Sequence, residues 1–152
     1  MATITVQTQF GRLSVFEEDG AIIRLDWGGV DDDPVTPLLK EAAAQLQAYD
    51  QGQLQVFDLP LRVKGSDFQR AVCDAMLAIP FGYTATYGEI ASVLGHPAQA
   101  VGGACGGNPI PVIIPCHRVM GAGGRLTGFS GAGGVETKVA LLRHEGAASL
   151  LI

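Results

Sequence analysis

The chain has 152 residues, 47% of them hydrophobic and 16% charged, with a net charge of −5 and a mean hydropathy of +0.27. These values fit one domain, or two small lobes with a sizeable core, and exclude a disordered chain. No apolar run approaches the ~18 residues of a membrane span, and the opening Met-Ala-Thr-Ile-Thr-Val lacks the charged start and apolar stretch of a signal peptide.

Cys73, Cys105 and Cys116 follow no CxxC or Cys/His ligand spacing, so no disulfide framework, metal or cofactor is expected, and the setting reads as reducing and cytoplasmic. An acidic net charge argues weakly against a nucleic-acid partner, but the charge is unevenly spread. Residues 1–65 carry ten acids against five bases, whereas 66–152 carry five of each. The C-terminal part is therefore free to touch phosphates, through few contacts and with modest salt dependence.

Residues 3–9, 12–18 and 21–27 alternate apolar and polar and predict an antiparallel meander. Asp31-Asp32-Asp33-Pro34 reads as a solvated turn. Pro37 opens an amphipathic helix carrying Leu38, Leu39, Ala42, Ala43, Leu46 and Tyr49, which ends near Gly52. Val56 to Val63 reads as a further strand. Nothing in residues 1–65 has the look of a site.

Ser66-x-x-Gln69 is a capping-box pattern opening a helix that runs toward Pro80, and Thr86-x-x-Glu89 is a second one, stopped by Gly95. His96-Pro97 then turns the chain into a segment that is almost all Ala and Gly after Gln99. Two short helices joined by a tight turn have the outline of a helix-turn-helix. Each Gly costs a helix about 1 kcal/mol relative to Ala. The run therefore implies a close neighbour, either the protein's own core or a duplex whose narrow minor groove admits a helix without bulk. Met120 to Arg125 reads as a hairpin turn and Leu126 to Gly134 as a glycine-rich loop lacking the Lys-Ser/Thr ending of a phosphate loop. Val135, Val139 and Leu142 mark a final amphipathic helix ending at Gly146.

The chemistry concentrates in Asn108-Pro-Ile-Pro-Val-Ile-Ile-Pro115-Cys-His-Arg-Val119. The apolar Val112–Ile114 run reads as a short buried strand delivering Cys116, His117 and Arg118 at its end. A thiol beside an imidazole and a guanidinium is in an electropositive setting that favours thiolate. On extended backbone, neighbouring side chains point to opposite faces. His117 would therefore need a bridging water or a local turn to take the thiol proton. Glu145 on the closing helix is a candidate to orient His117, the alternative being a solvated helix end.

Pro115-Cys-His-Arg-Val119, preceded by Gly107-Asn-Pro-x-Pro111, resembles the active-site motif of the methylated-DNA–protein-cysteine methyltransferases, the alkylguanine-DNA alkyltransferases. Phe68-Gln-x-x-Val72, Ile79-Pro-Phe-Gly82, Thr86-Tyr87-x-x-Ile90-Ala91, Ala100-Val-Gly-Gly-Ala104, Gly128-Phe-Ser-Gly131 and Lys138-x-x-Leu-Leu-x-His-Glu-Gly146 resemble further family segments in family order. The resemblance implies an α+β fold: a small N-terminal antiparallel sheet plus helix lobe (1–65) and a C-terminal helix-turn-helix, winged-helix-like lobe (66–152).

It also implies a monomer that repairs double-stranded DNA from the minor groove. The protein would flip a 6-O-alkylguanine and move the alkyl group irreversibly to its own cysteine. By position, Cys116 would be the acceptor, His117 its base through a water, and Glu145 the holder of His117. Tyr87 would donate to the flipped base and Asn108 would brace the turn ahead of the cysteine. Phe129, Ser130 and Gly131 would line the base pocket, Arg118 would be structural, and the glycine-rich helix would enter the groove.

The chain departs from the family pattern at Gln99, where an arginine usually fills the gap left by the flipped base. It departs again at Phe129, often Tyr, at the longer Gly131–Gly134 loop, and at Cys73, usually aromatic. Gln99 leaves open a second class of function, an alkyltransferase-like module that binds alkylated DNA with little or no transfer. A Cys-His thiol hydrolase, the third reading, finds no oxyanion donor or signature.

Overall fold

The computed structural model describes residues 2–30, 35–126 and 134–147, and the chain divides into two compact units, Met1–Lys64 and Gly65–Ile152. The architecture is α+β.

In the first unit, β1 (Ala2–Thr8), β2 (Gly11–Glu18) and β3 (Ala21–Trp27) form an antiparallel sheet in the order β1-β2-β3. The β2–β3 hairpin turns on Asp19 (φ 49°) and Gly20 (φ 78°), the two left-handed positions that a turn matching the strand twist requires. Register pairs Val6 with Leu13 and Val15 with Leu25, and all four are buried. Helix α1 (Pro37–Asp50) packs on β1 and β2. Thr36 caps it by accepting from the Leu39 amide at 3.1 Å, and Pro37 starts it without wasting a donor. Its buried stripe is Leu39, Ala42, Leu46 and Tyr49.

The strand expected over Val56–Val63 does not form. Only Leu61 bridges to β3, at Ile22, with Ile22 N donating to Pro60 O at 2.8 Å and Arg62 N to Ile22 O at 2.9 Å. The cause is local. Pro60 has no N–H for a ladder, and the α1 side chain Gln45 takes both backbone groups of Asp58, at 2.9 and 3.0 Å.

In the second unit, α2 (Asp67–Leu77), α3 (Tyr87–Leu94) and α4 (Ala98–Gly106) pack on one another. Ser66 caps α2 through the Gln69 amide at 3.0 Å. The reciprocal half of that box is replaced by a tertiary contact, in which Gln69 Nε2 donates to Ala104 O of α4 at 2.8 Å. At α3 both halves form, between Thr86 and Glu89 at 2.9 and 3.0 Å, and Gly95 (φ 71°) ends the helix. The α3–turn–α4 pair is a helix-turn-helix.

A pairing with no sequence signal follows: β4 (Ala85–Thr86) runs parallel to β5 (Val119–Met120). Two residues are too few to show periodicity, but they fasten the start of α3 beside the chain leaving Cys116. Met120–Arg125 does close as a turn, with Gly121 N donating to Arg125 O at 2.8 Å.

Helix α5 (Val135–His144) buries Lys138, Leu141 and Leu142, while Val135 is exposed. The expected Val135-Val139-Leu142 stripe is therefore rotated around the helix. The buried positions 138, 141, 142 and 145 keep helical spacing, with Leu142 packed against Met120 and Ala147.

Candidate active site

The segment before Cys116 is a tight turn, not the strand expected from its apolar run. Val112 adopts φ 71°, Pro111 bridges to Ile114, and Ile114 N donates to Ile110 O at 2.8 Å. Pro109, Pro111 and Pro115 remove the amides that a strand ladder needs. One side chain closes the loop at both ends: Asn108 Oδ1 accepts from Ile110 N at 3.0 Å, and Asn108 Nδ2 donates to Ile114 O at 2.8 Å. Ile110, Val112, Ile113 and Ile114 are buried, so the apolar run anchors the turn in the core.

Cys116–Arg118 form a single turn of 3-10 helix, with Arg118 N donating to Pro115 O at 3.0 Å. His117 and Glu145 then meet over 28 residues of sequence, His117 Nε2 lying 2.7 Å from Glu145 Oε2, with both side chains 0% exposed. Arg118 joins the same carboxylate through Nε to Oε1 at 2.8 Å and Nη2 to Oε2 at 3.1 Å, and donates from Nη1 to Ile79 O at 2.6 Å. Glu145 is thus buried, not a solvated helix end.

The electropositive setting expected for the thiol is corrected. Burial pushes the Cys116 thiol up, opposed by a hydrogen bond from Asn108 and the charge of Lys138. The Arg118 guanidinium is committed to Glu145. Burial also lowers His117, against the pull of Glu145. At rest the pair is therefore a neutral thiol and a neutral imidazole. With a carboxylate at Nε2, that nitrogen carries the proton, leaving the Nδ1 lone pair as the basic site. Nδ1 is buried without a hydrogen-bond partner among the described residues, so no direct hydrogen bond joins it to the thiol.

Tyr87 and Gln99 come together in a cavity of about 480 Å³ lined also by Thr86, Gly88, Ala98, Gly102 and Ala122. Tyr87 is the first residue of α3, and Gln99 is on the exposed side of α4. The bare α4 face is not pressed into the core. A methyl group built on Gly102, Gly103 or Gly106 would meet nothing within 4 Å, while Val101, Ala104 and Cys105 take the inward side. Phe129, Ser130 and Gly131 lie outside the described residues. Among the described residues, no group of three or more His, Cys, Asp or Glu is placed to hold a metal ion, and no helix is long and apolar enough to cross a membrane.

Sequence reasoning gave Lys138 no role. Its side chain is 0% exposed, and Nζ donates to Val119 O at 2.5 Å. The signal was available: Lys138 shares the 138-141-142-145 face of α5, where a lysine is out of place unless paired.

Fold and site together define an α+β protein whose helix-turn-helix unit sets a thiol against a buried imidazole–carboxylate pair. The family model described as the 6-O-methylguanine DNA methyltransferase DNA binding domain matches residues 67–147. The one described as the ribonuclease-like domain of the same methyltransferase matches residues 1–63. A Methanosarcina acetivorans methylated-DNA–protein-cysteine methyltransferase is 50% identical over 109 residues, which are 70% of this chain and 69% of the relative. Its Mycobacterium tuberculosis counterpart is 53% identical over 106 residues, 68% of this chain and 63% of the relative. The crystal structure of Mycobacterium tuberculosis OGT in complex with DNA superposes with a TM-score of 0.83 at 38% identity, covering 97% of this chain and 98% of that one. A Methanococcus jannaschii O6-methylguanine DNA methyltransferase gives 0.68 at 27% identity, covering 94% and 93%. The chain belongs to the 6-O-methylguanine DNA methyltransferase family.

Proposed function

We propose that this protein repairs DNA by moving the alkyl group of a 6-O-alkylguanine to its own Cys116, once per molecule. The observation that carries the reading is the buried His117–Glu145 pair at 2.7 Å, directly after the cysteine and with Nδ1 left for a proton.

The chemistry follows from the residues. The damaged base sits inside the duplex stack and has to be extruded before its 6-oxygen can meet a thiol. His117 Nδ1 takes the Cys116 proton through a water, and Glu145 stabilises the resulting imidazolium. The thiolate attacks the alkyl carbon, an S–C bond forms, and the C–O bond to guanine breaks. Tyr87 donates a hydrogen bond to the departing base, which makes guanine a better leaving group. The thioether does not hydrolyse readily, so the cysteine is consumed.

Asn108 holds the turn that aims Cys116, and Arg118 fixes Glu145. The resemblance assigns the flipped base to Phe129, Ser130 and Gly131. The open glycine face of α4 supports minor-groove docking, with Gln99 at the gap left by the base. In this reading residues 1–65 are a scaffold lobe, residues 66–152 bind and repair DNA, and the protein works as a cytoplasmic monomer.

The test is to incubate the protein with duplex DNA carrying 6-O-methylguanine and take the mass of the Cys116 peptide. A gain of one methylene is the expected result. Gln99 is neutral and shorter than arginine, which favours a second reading as a damage-binding module. Tight binding with no mass gain would establish that reading and remove the first.

A further inference from the structure

A surface that meets a polyanion needs cations that can reach phosphate, and the second unit has few. Residues 66–152 hold five basic residues, Arg70, Arg118, Arg125, Lys138 and Arg143, and the fold withdraws most of them. Arg118 is buried on the Glu145 carboxylate. Lys138 is 0% exposed, with Nζ on the Val119 carbonyl and 6.0 Å from the Tyr87 ring centroid. Arg70 is engaged at the start of its own helix, pairing with Asp67 and donating from Nη1 to Gly65 O at 2.6 Å. Arg125 and Arg143 stay exposed, and neither guanidinium has a hydrogen bond or ion pair among the described residues.

Their places in the fold differ. Arg143 is in the last turn of α5, a helix with no residue in the cavity that holds Tyr87 and Gln99. Arg125 closes a turn that does reach that cavity. Gly121 N donates to Arg125 O at 2.8 Å, and Ala122 of the same turn lines the cavity together with Gln99 and Gly102 of α4. The chain then passes through Gly123 (φ 69°) and Gly124 (φ 82°). A methyl group built on Gly123 would meet nothing within 4 Å. The cavity therefore opens between two surfaces without side-chain bulk, the outer face of α4 and this turn, and Arg125 is the charge at the foot of the turn. A helix seated in the minor groove has a sugar–phosphate strand along each side, because the groove is only ~6 Å wide. An element beside that helix meets phosphate, and an arginine there offers phosphate oxygens a planar fork of donors.

We propose that Arg125 is the phosphate clamp of the DNA-binding unit, holding the strand that passes over the Gly121–Arg125 turn and supplying most of the electrostatic part of duplex binding. The inference rests on the reading above, in which this unit docks α4 into a duplex. Phosphate contacts set register without reading sequence, so Arg125 is a positioning residue that fixes where the strand lies relative to Gln99 and the cavity. The clamp also accounts for a shallow salt dependence, since each neutralised phosphate adds about 0.9 to the slope of log K against log salt.

The test measures affinity for an unmodified duplex across a salt series, so that transfer does not drain the complex. Wild type is compared with Arg125→Gln, Arg125→Lys and Arg143→Gln, each with a melting curve. Single-turnover transfer from a 6-O-methylguanine duplex, read as the mass of the Cys116 peptide, runs alongside. Arg125→Gln should lower the slope by about one and the affinity near ~50 mM salt about tenfold. Arg125→Lys should keep the slope, because a point charge releases the same counterion, and Arg143→Gln should change neither quantity. Transfer by Arg125→Gln should be slow at low protein concentration and approach the wild-type rate at saturation.

A folded Arg125→Gln protein with the wild-type slope overturns the proposal, as does an equal loss in Arg143→Gln. The repair reading is judged separately. Methyl transfer by wild type with a slope indifferent to Arg125 leaves repair standing without the clamp. Binding that depends on Arg125 with no mass gain at Cys116 keeps the clamp and rejects repair. A wild type with no affinity for the duplex rejects both.

Discussion

Glu145→Gln is the substitution that most directly tests how the site is held. The Glu145 carboxylate accepts from His117 Nε2 at 2.7 Å and from Arg118 at 2.8 and 3.1 Å. Glutamine keeps the volume, but it loses the charge and turns one acceptor into a donor facing N–H groups. Arg118 would remain as a buried guanidinium without its counter-charge. Breaking a buried pair from one side costs about 3–5 kcal/mol. At ~2–4 °C per kcal/mol for a chain of this size, the melting temperature should fall by roughly 6–20 °C.

Removing both partners separates pairing from packing. Arg118→Met with Glu145→Met leaves no unpaired charge and should recover most of that loss. A residual deficit of about 1–3 kcal/mol is expected for the buried His117 nitrogen left without a partner. Transfer should not recover with stability, because the imidazole has lost the carboxylate that sets its tautomer. Thermal melts of the two single variants and the double variant, with single-turnover transfer in parallel, supply the measurement. A Glu145→Gln protein destabilised by less than ~1 kcal/mol, or a double variant no better than the sum of its singles, would refute the reasoning.

Other outcomes follow from the same geometry. Gly103→Ala fills open space on α4 and should stabilise the fold by up to about 1 kcal/mol while weakening duplex binding; unchanged affinity in a titration would show that this face does not meet DNA. Gln99→Arg should speed transfer from duplex DNA, and a slower or equal single-turnover rate would mean that another residue already fills the gap. His117 is lowered in the folded state, mainly by burial, so the unfolded chain binds the proton first as pH falls. The stability tied to neutral His117 is present above its unfolded value of about 6.5 and is lost as pH drops below it. Chemical denaturation from pH 7 to pH 5 should show this slope, and His117→Gln should flatten it.

The parts of the fold legible in the sequence were those with local causes. The meander, α1 and the capping box at Thr86 each rest on alternation, helical spacing or a cap within a few residues. Where the sequence misled, a side chain outside the segment had satisfied its backbone. Gln45 takes the amide and carbonyl of Asp58, so no strand forms near Val56, and Asn108 folds Val112–Ile114 into a turn although its residues are strand-formers. Gln69 resembled half of a capping box but binds Ala104 on another helix.

By itself the sequence determined which chemical groups the site contains: a cysteine and a histidine in succession, an acid on the last helix, a tyrosine at a helix start, and a helix stripped to Ala and Gly. Only the tertiary structure decided their states. Burial raises the Cys116 thiol and lowers the His117 imidazole, and Glu145 binds Arg118 as well as His117. The glycines of α4 face outward, not into the core, and Lys138 is drawn under the Val119 carbonyl beside the Tyr87 ring. Residue types and spacings are local properties, whereas protonation depends on dielectric and on partners tens of residues away. Those partners exist only once the chain has packed.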